Sequence, residues 1–383
     1  MISPSSLRRR LSRCFAVNKT WTAIYHEGEG EDGKRKQRWM GGFATRKAAQ
    51  AFLTDVLSRL GDGSYVQPSK LTLRAFVEDE WLPAIAGTVR TPTLTQYRSV
   101  MKGRILPRLG HHRLQALTGA HLNALYRELE EGDEEKEGLS PASRRLTHAV
   151  LSRACRDAAR WGRVVRNPAA AADPPAAAES RATAWTAKEL GRFLEHIAGD
   201  RLIALWRLAA TTGMRRGELL GLTWFALDLD GSTLRVDQQL VPTRGGVTFG
   251  PPKSKRSRRT IALDAETVEA LKAHREAQLL ERSFAGDAYV DHDLVFADEL
   301  GRPIYPQRLT EAFTRERKAA GLLAGTLHIL RHTHATLALT NGVPVHVVAA
   351  RIGDRPETVL RVYAHLLPQS DVEAAEQVAA LIA

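Results

Sequence analysis

Thr211-Thr212-Gly213-Met214-Arg215-Arg216-Gly217-Glu218-Leu219-Leu220-Gly221-Leu222 sets two adjacent arginines and a glutamate into a small, apolar run. Arg215 is a permanent cation whose planar fork can grip two non-bridging oxygens of a phosphate. Three later stretches carry matching chemistry: PPKSKRSRRTI at residues 251–261, HILRHT at 328–333 and RVYAHL at 361–366. Arg331 is a second cation of the same kind. Charge develops on phosphate oxygens as a phosphoryl centre becomes pentacovalent, and fixed donors aimed at them lower the barrier. His328 and Arg331 stand at i, i+3, so one helix face is expected to carry both. Tyr363 is a phenol with an ordinary pKa of about 10. Two nearby guanidiniums would favour its anion and make it a usable nucleophile. Lys253 follows two prolines at the edge of an expected hairpin, where an ammonium could protonate a leaving alkoxide. Nothing in the set calls for Mg²⁺, and the sequence offers no carboxylate cluster to hold it.

In this order, the four stretches resemble the boxes of the tyrosine recombinases, specifically the integrases of phages and mobile elements. The resemblance runs over nearly the whole chain. TGMRRGELLGL is similar to the first-arginine box, which implies Arg215 as the first catalytic arginine. PPKSKRSRRTIAL is similar to the β-hairpin lysine box, HILRHTHATL to the H-x-x-R box with His328 and Arg331, and RVYAHLL to the nucleophile box with Tyr363. Spacing fits as well: 23 residues separate Arg331 from Asp354, and 9 separate Asp354 from Tyr363. Lys253 aligns best by its place ahead of the RRTIAL strand; Lys255, two residues on and of the same strand parity, is the other candidate. The family usually carries His or Trp where this chain reads Arg351-Ile352-Gly353-Asp354. An ionised carboxylate cannot donate to a phosphate and would repel it. Asp354 is therefore expected to turn away, to be tied to Arg351 or Arg355, or to stay protonated, in a supporting role. Glu218 is expected to position the arginine-bearing helix.

The resemblance implies a reaction. Tyr363 attacks a scissile DNA phosphate to give a 3′-phosphotyrosyl link and a free 5′-hydroxyl. A 5′-hydroxyl of the partner duplex then attacks, and strands exchange through a Holliday junction without ATP, metal or other cofactor. Lys253 acts as general acid, and His328 assists proton transfer and holds the phosphate. The implied partners are double-stranded attachment-site DNA, three further copies of the chain in a tetramer, and an excision helper protein. The implied location is a bacterial cytoplasm. Two other readings compete: a type IB topoisomerase, which religates the same strand, and a DNA-binding regulator or decayed integrase that does not cut.

Working outward, residues 1–66 are expected to form an arm-type DNA-binding domain, a three-stranded sheet on one helix. Phe15, Val17, Trp21, Ala23 and Tyr25 share one parity and read as a strand. KQRWMGGF reads as another strand. Ala49, Phe52, Leu53, Val56, Leu57 and Leu60 make a single helical stripe, capped by Thr45 and ended by Gly61-Asp62-Gly63. Residues 67–166 read as a helical core-binding domain whose longest helix opens at Ser140-Pro141. Residues 167–182, rich in proline and alanine, read as a linker unable to pack a core. Residues 183–383 read as a mixed α/β catalytic domain, opened by a Thr186/Glu189 capping box and closed by an apolar helix after Ser370. The fold class is mainly α with small β elements. With the catalytic domain, the middle domain would clamp the duplex in a C shape. Its Arg98, Lys102, Arg104, Arg144 and Arg145 are candidate phosphate contacts, and Lys34, Arg35, Lys36 and Arg38 of the arm could enter a major groove.

Composition agrees with a polyanionic partner and removes other classes. The 383 residues hold 55 Lys+Arg against 43 Asp+Glu, a formal charge of +12. Two distant cysteines, Cys14 and Cys155, exclude a disulfide scaffold and a zinc ribbon. No apolar run reaches the roughly 18 residues of a membrane span, and the basic start has no apolar segment of a secretory signal. Residues 28–33 match GxGxxG in letters only; the carboxylates between the glycines suit a hairpin turn better than a pyrophosphate. His328, His332 and His334 resemble a metal spacing, but Arg331 between them would repel a cation. By residue type alone they read as helix-surface histidines.

Overall fold

The computed structural model describes residues 12–17, 19–29, 35–63, 65–133, 136–176, 183–243, 245–252, 255–322, 325–363 and 379–380. The chain is mainly helical with small sheets and divides into two compact units at residues 178 and 179.

The first unit opens with an antiparallel sheet of β1 (Arg13–Val17), β2 (Thr20–Glu29) and β3 (Arg35–Phe43), in that order. The single strand expected over 15–25 is in fact a hairpin. The chain turns at Lys19, whose φ is 67°, and Phe15 lies opposite Thr22. Directly opposed residues share a face. Phe15 and Val17 therefore lie on the face opposite Ala23 and Tyr25, despite equal parity. Phe15 meets Trp39 edge-on at 5.5 Å instead. Helix α1 (Arg46–Gly61) is capped as expected, the Ala48 amide donating to Thr45 Oγ1 at 3.2 Å. Its Leu53 and Val56 bury against Ala23 and Tyr25. Gly28 pairs with Lys36 and Glu29 with Arg35 in the antiparallel ladder; residues 30–34 lie outside the described residues.

Helices α2 (residues 73–85), α3 (residues 91–109), α4 (Gly119–Glu131) and α5 (Pro141–Arg160) follow, each of the first two containing a π-helical turn. Their core gathers Phe76, Trp81, Met101, Ile105, Leu122 and Leu151. Trp81 stacks on Tyr97, and its indole N–H donates to the buried Asp157 carboxylate at 2.9 Å. Arg153 and Arg160 pair with the same carboxylate. The proline-rich stretch corrects the expectation of an unpacked linker. Residues 168–171 form a 3₁₀ turn, Pro168 and Ala169 are buried, and Ala169 and Ala172 join the bundle core. Asp173 is held by both polar atoms of Asn123. Small residues pack well where neighbouring backbone approaches closely, and composition alone does not reveal that neighbour. Residues 177–182 lie outside the described residues.

The second unit is built around α7 (Ile203–Thr212), which follows α6 (Ala187–His196). The expected capping box forms: the Thr186 amide donates to Glu189 Oε2 at 2.7 Å. After α7 come α8 (Arg216–Leu220), β4 (Leu227–Asp228) and β5 (Thr233–Arg235). The hairpin β6 (Gln239–Thr243) and β7 (Gly246–Gly250) is separate, and β8 (Thr260–Ala262) returns beside β5, giving the order β8-β5-β4. Helices α9 (Ala265–Ala285), α10 (Pro306–Ala319), α11 (His328–Thr340), α12 (Val345–Ile352) and α13 (Pro356–Tyr363) complete it. Helices α9 and α11 both pack on α7, and α11, α12 and α13 pack in succession. An aromatic knot of Trp185, Phe193, Trp206 and Phe313 anchors the core. The helix expected after Ser370 falls almost wholly outside the described residues. Among those described, no helix is long and apolar enough to cross a membrane.

Candidate active site

The end of α7 meets the ends of α11 and α12. Gly213 closes α7 in a left-handed conformation, φ 64°. A Cβ there would lie 3.0 Å from both His334 Cδ2 and Ile352 Cγ2, so glycine answers two demands at once. Its carbonyl accepts from Arg331 Nη1 at 2.7 Å, and the Ile352 carbonyl accepts from the same nitrogen at 2.7 Å. Arg331 is thereby fixed by the ends of two other helices, and it is 4% exposed. Burial, with repulsion from Arg215, lowers its pKa to about 10, which still leaves it charged at neutral pH.

Arg215 stands at the start of α8. Its backbone amide and Nη1 both donate to Glu218, each at 3.0 Å. Glu218 is 2% exposed and also receives Arg259 Nη2 at 3.0 Å. Burial alone would raise its pKa, but the Arg259 and Arg215 guanidiniums reverse this and hold it below the ordinary carboxylate range. Glu218 is thus the buried anion that orients two arginines. Arg259 was not singled out in the sequence; its only signal there was its place in the basic run before β8. It also donates from Nε to the Arg351 carbonyl at 2.7 Å, which ties the β8 strand to α12.

Asp354 does not turn away, and beyond the Arg355 backbone amide, which donates to Oδ1 at 3.3 Å, its chief partners are two arginines the sequence did not assign to it. Its Oδ2 accepts from Arg331 Nη2 at 2.9 Å and from Arg215 Nη2 at 3.2 Å. Arg351 turns instead to the Thr211 carbonyl. One carboxylate oxygen therefore bridges both arginines. The expectation overlooked that a carboxylate can itself occupy the anion-binding side of the pair.

Tyr363 ends α13 with its ring in a small cluster of Ala335, Leu339, Val348, Ile352 and Val359. It is 4% exposed. The expected lowering of its pKa does not occur. Burial pushes the phenol up to about 12, outweighing the opposing effect of Arg331. Its hydroxyl lies 2.6 Å from His332 Nδ1, a partner the sequence did not indicate. His328 sits at the exposed start of α11, its ring 4.6 Å from that of His332. Desolvation, with repulsion from His332, Arg331 and Arg215, lowers its pKa even though the side chain opens to solvent. His332 and His334 are therefore half-buried against the site, while His328 is exposed at its rim.

Lys253 lies outside the described residues, as does the Lys255 side chain. Residues Lys255–Ser257 form a 3₁₀ turn, so the strand parity expected for Lys255 does not apply. Among the DNA-contact candidates, Lys34 and the Arg35 side chain lie outside the described residues. Lys36 and Arg38 pair with Glu27 on the neighbouring strand. Lys102 is exposed and Arg98 half-buried on α3. Arg104 turns to Ser143 O and Thr147 Oγ1, Arg144 pairs with Glu130 at 2.6 Å, and Arg145 donates to Pro175 O.

Comparison with known proteins identifies the family and the fold. Residues 184–370 match the phage integrase family, residues 72–129 its N-terminal SAM-like domain, and residues 16–60 an arm DNA-binding domain. An integrase of Streptomyces ambofaciens is 30% identical over 340 residues, covering 87% of this chain and 86% of that protein. The fold matches the Tn1549 transposon integrase in complex with transposon right-end DNA. There the TM-score is 0.66 at 19% identity, over 82% of this chain and 100% of that one. A lambda integrase tetramer bound to a Holliday junction matches with TM-score 0.55 at 20% identity, over 90% of this chain and 94% of that one.

Proposed function

The chain belongs to the phage integrase family of tyrosine recombinases, and from that premise we propose that Tyr363 cleaves a DNA strand by attack on a phosphate held between Arg215 and Arg331. The observation that carries this reading is the shared anion. Two guanidiniums on separate helices converge on a single oxygen, Asp354 Oδ2, at 3.2 and 2.9 Å. A pair arranged in that way is preorganised for a non-bridging phosphate oxygen, and preorganised charge is what stabilises a pentacovalent phosphoryl centre. Glu218 and Arg259 keep the geometry without touching the substrate. Asp354 holds the arginines in place until a phosphate takes its position.

His328, at the open rim beside both arginines, donates to the phosphate. Lys253, or Lys255 two residues on, protonates the departing 5′-oxygen. The 3′-phosphotyrosyl ester retains the energy of the broken bond, so a second duplex's 5′-hydroxyl can reverse the step on a new strand. A cleft of 350 Å³ lined by Arg256, Arg355, Glu357, Thr358 and Arg361 adjoins the nucleophile helix, and its three arginines against one glutamate suit a flanking backbone phosphate. The match to a tetramer on a Holliday junction supports assembly of four copies on DNA. An excision helper protein and a bacterial cytoplasmic location follow from the same reading.

The test is covalent trapping. Nicked duplexes tiled across the DNA that flanks the gene are mixed with the protein and denatured in detergent. A protein–DNA adduct formed by the wild type and absent from Tyr363→Phe supports the reading and locates the site. Retarded DNA with no adduct on any duplex favours the non-cleaving regulator. Relaxation of supercoiled DNA with no joining of two duplexes favours the topoisomerase.

A further inference from the structure

A phenol with its pKa pushed up to about 12 is a poor nucleophile until its proton has somewhere to go. The cations around the phosphate position cannot take it, since guanidiniums only donate. Asp354 is nearest in chemistry, but Oδ2 is occupied by Arg215 and Arg331, and the Arg355 amide donates to Oδ1 at 3.3 Å. Among the described residues, the Tyr363 hydroxyl meets one group capable of accepting a proton, the ring nitrogen of His332 at 2.6 Å.

We propose that His332 is a catalytic residue, the general base that takes the Tyr363 proton through Nδ1 as the phenol oxygen attacks phosphorus. The inference rests on the reading of Tyr363 as nucleophile. Placement follows from the helix. His332 is next to Arg331 and one turn beyond His328, so α11 carries phosphate grip, phosphate donor and base on adjoining positions. The rings of His332 and Tyr363 meet at 5.8 Å and 57°, which sets Nδ1 toward the hydroxyl rather than the ring face. Among the described residues, the charged or titratable groups that face His332 are His328 and Arg331 on its own helix and Tyr363 on α13. Burial and the Arg331 charge keep the imidazole neutral at neutral pH, so its lone pair is available.

The step balances simply. The Oη–P bond forms as the P–O5′ bond breaks, the Oη proton moves to Nδ1, and the general acid gives a separate proton to O5′. On rejoining, an incoming 5′-hydroxyl forms O5′–P and gives its proton back to the deprotonated general acid, the Oη–P bond breaks, and the proton on Nδ1 returns to Oη. Because the phenolate is far more basic than the imidazole, transfer happens only as Oη bonds to phosphorus and loses its basicity. General-base assistance of this kind is worth roughly 10²–10⁴-fold.

The experiment uses the full chain and the duplex on which the wild type forms its adduct. His332→Asn keeps an acceptor near the Nδ1 position but cannot carry a proton; His332→Ala removes both. Single-turnover adduct formation is expected to fall about 100-fold in His332→Asn, with DNA binding unchanged. Replacing Tyr363 by 3,5-difluorotyrosine, a more acidic phenol, should restore most of that loss and help the wild type little. A 5′-bridging phosphorothiolate, whose thiolate needs no protonation, should leave the His332→Asn defect in place while rescuing loss of the general acid. Two results would overturn the proposal: wild-type rates in His332→Asn, or a defect that the phosphorothiolate cures and difluorotyrosine does not. Absence of any wild-type adduct would instead remove the nucleophile reading on which it stands.

Discussion

At the scale of single residues, the site is governed by where two cations, Arg331 buried and Arg215 half-buried, find their counter-charge. Arg331 and Arg215 share Asp354 Oδ2. Removing it leaves two like charges together in a partly desolvated place. Asp354→Ala is expected to destabilise the DNA-free protein by about 1–3 kcal/mol, below the full figure for a buried pair because Asp354 is 31% exposed. Its effect on adduct formation should be smaller than that of Tyr363→Phe, because both arginines remain. Urea denaturation and the trapping assay check the two halves separately. His334 supplies a pH effect. Burial, with repulsion from Arg351, lowers its pKa to about 4. A group whose folded pKa lies below its unfolded value of about 6.5 contributes stability that is present above that value. That stability is lost as pH falls toward 4. The melting temperature should drop over that window, and His334→Gln should show a flatter profile.

At the scale of elements, the site exists because three helix ends converge. Gly213 ends α7 and lends its carbonyl to Arg331, while Ile352 at the end of α12 lends another. Gly213→Ala forces a side chain into a left-handed backbone against His334 and Ile352. We expect a loss of about 1–3 kcal/mol in denaturant titrations and a fall in adduct yield, because the Arg331 anchor moves with the turn. The element scale also shows where local pattern misled. Strand alternation continued smoothly through Lys19, so parity alone could not reveal that the chain had reversed and exchanged faces. The proline-rich stretch read as a spacer because its residues are small, yet Pro168 and Ala169 are buried, and Ala169 packs in the helical bundle's core.

At the scale of the whole molecule, the excess of 55 cationic over 43 anionic residues is the relevant quantity. Binding through six or more lysine- or arginine-to-phosphate contacts releases counterions. Affinity for duplex DNA should therefore fall roughly 10³-fold or more between 50 and 200 mM salt. A filter-binding or anisotropy titration at stepped salt measures this, and a flat response would rule out extensive backbone contact. Not every basic residue contributes equally. Arg104 and Arg144 are engaged by acceptors of their own bundle, so Lys102→Ala should reduce the salt slope more than Arg104→Ala.

The sequence by itself determined the family and the candidate site: two arginines, a histidine and a tyrosine in fixed order and spacing, along with helix starts such as Thr45, Ser140 and Thr186. Those features are local. A cap needs only its own next three residues, and each of the family's boxes is written contiguously. The tertiary structure alone decided how the charges are apportioned. Glu218 faces Arg259 across 41 positions of sequence, Asp354 faces Arg215 across 139, and His332 faces Tyr363 across 31. It also decided that burial would outweigh the cations at Tyr363, raising a pKa that the charges alone would have lowered. Desolvation depends on every neighbour that excludes water, and no stretch of sequence lists those neighbours together.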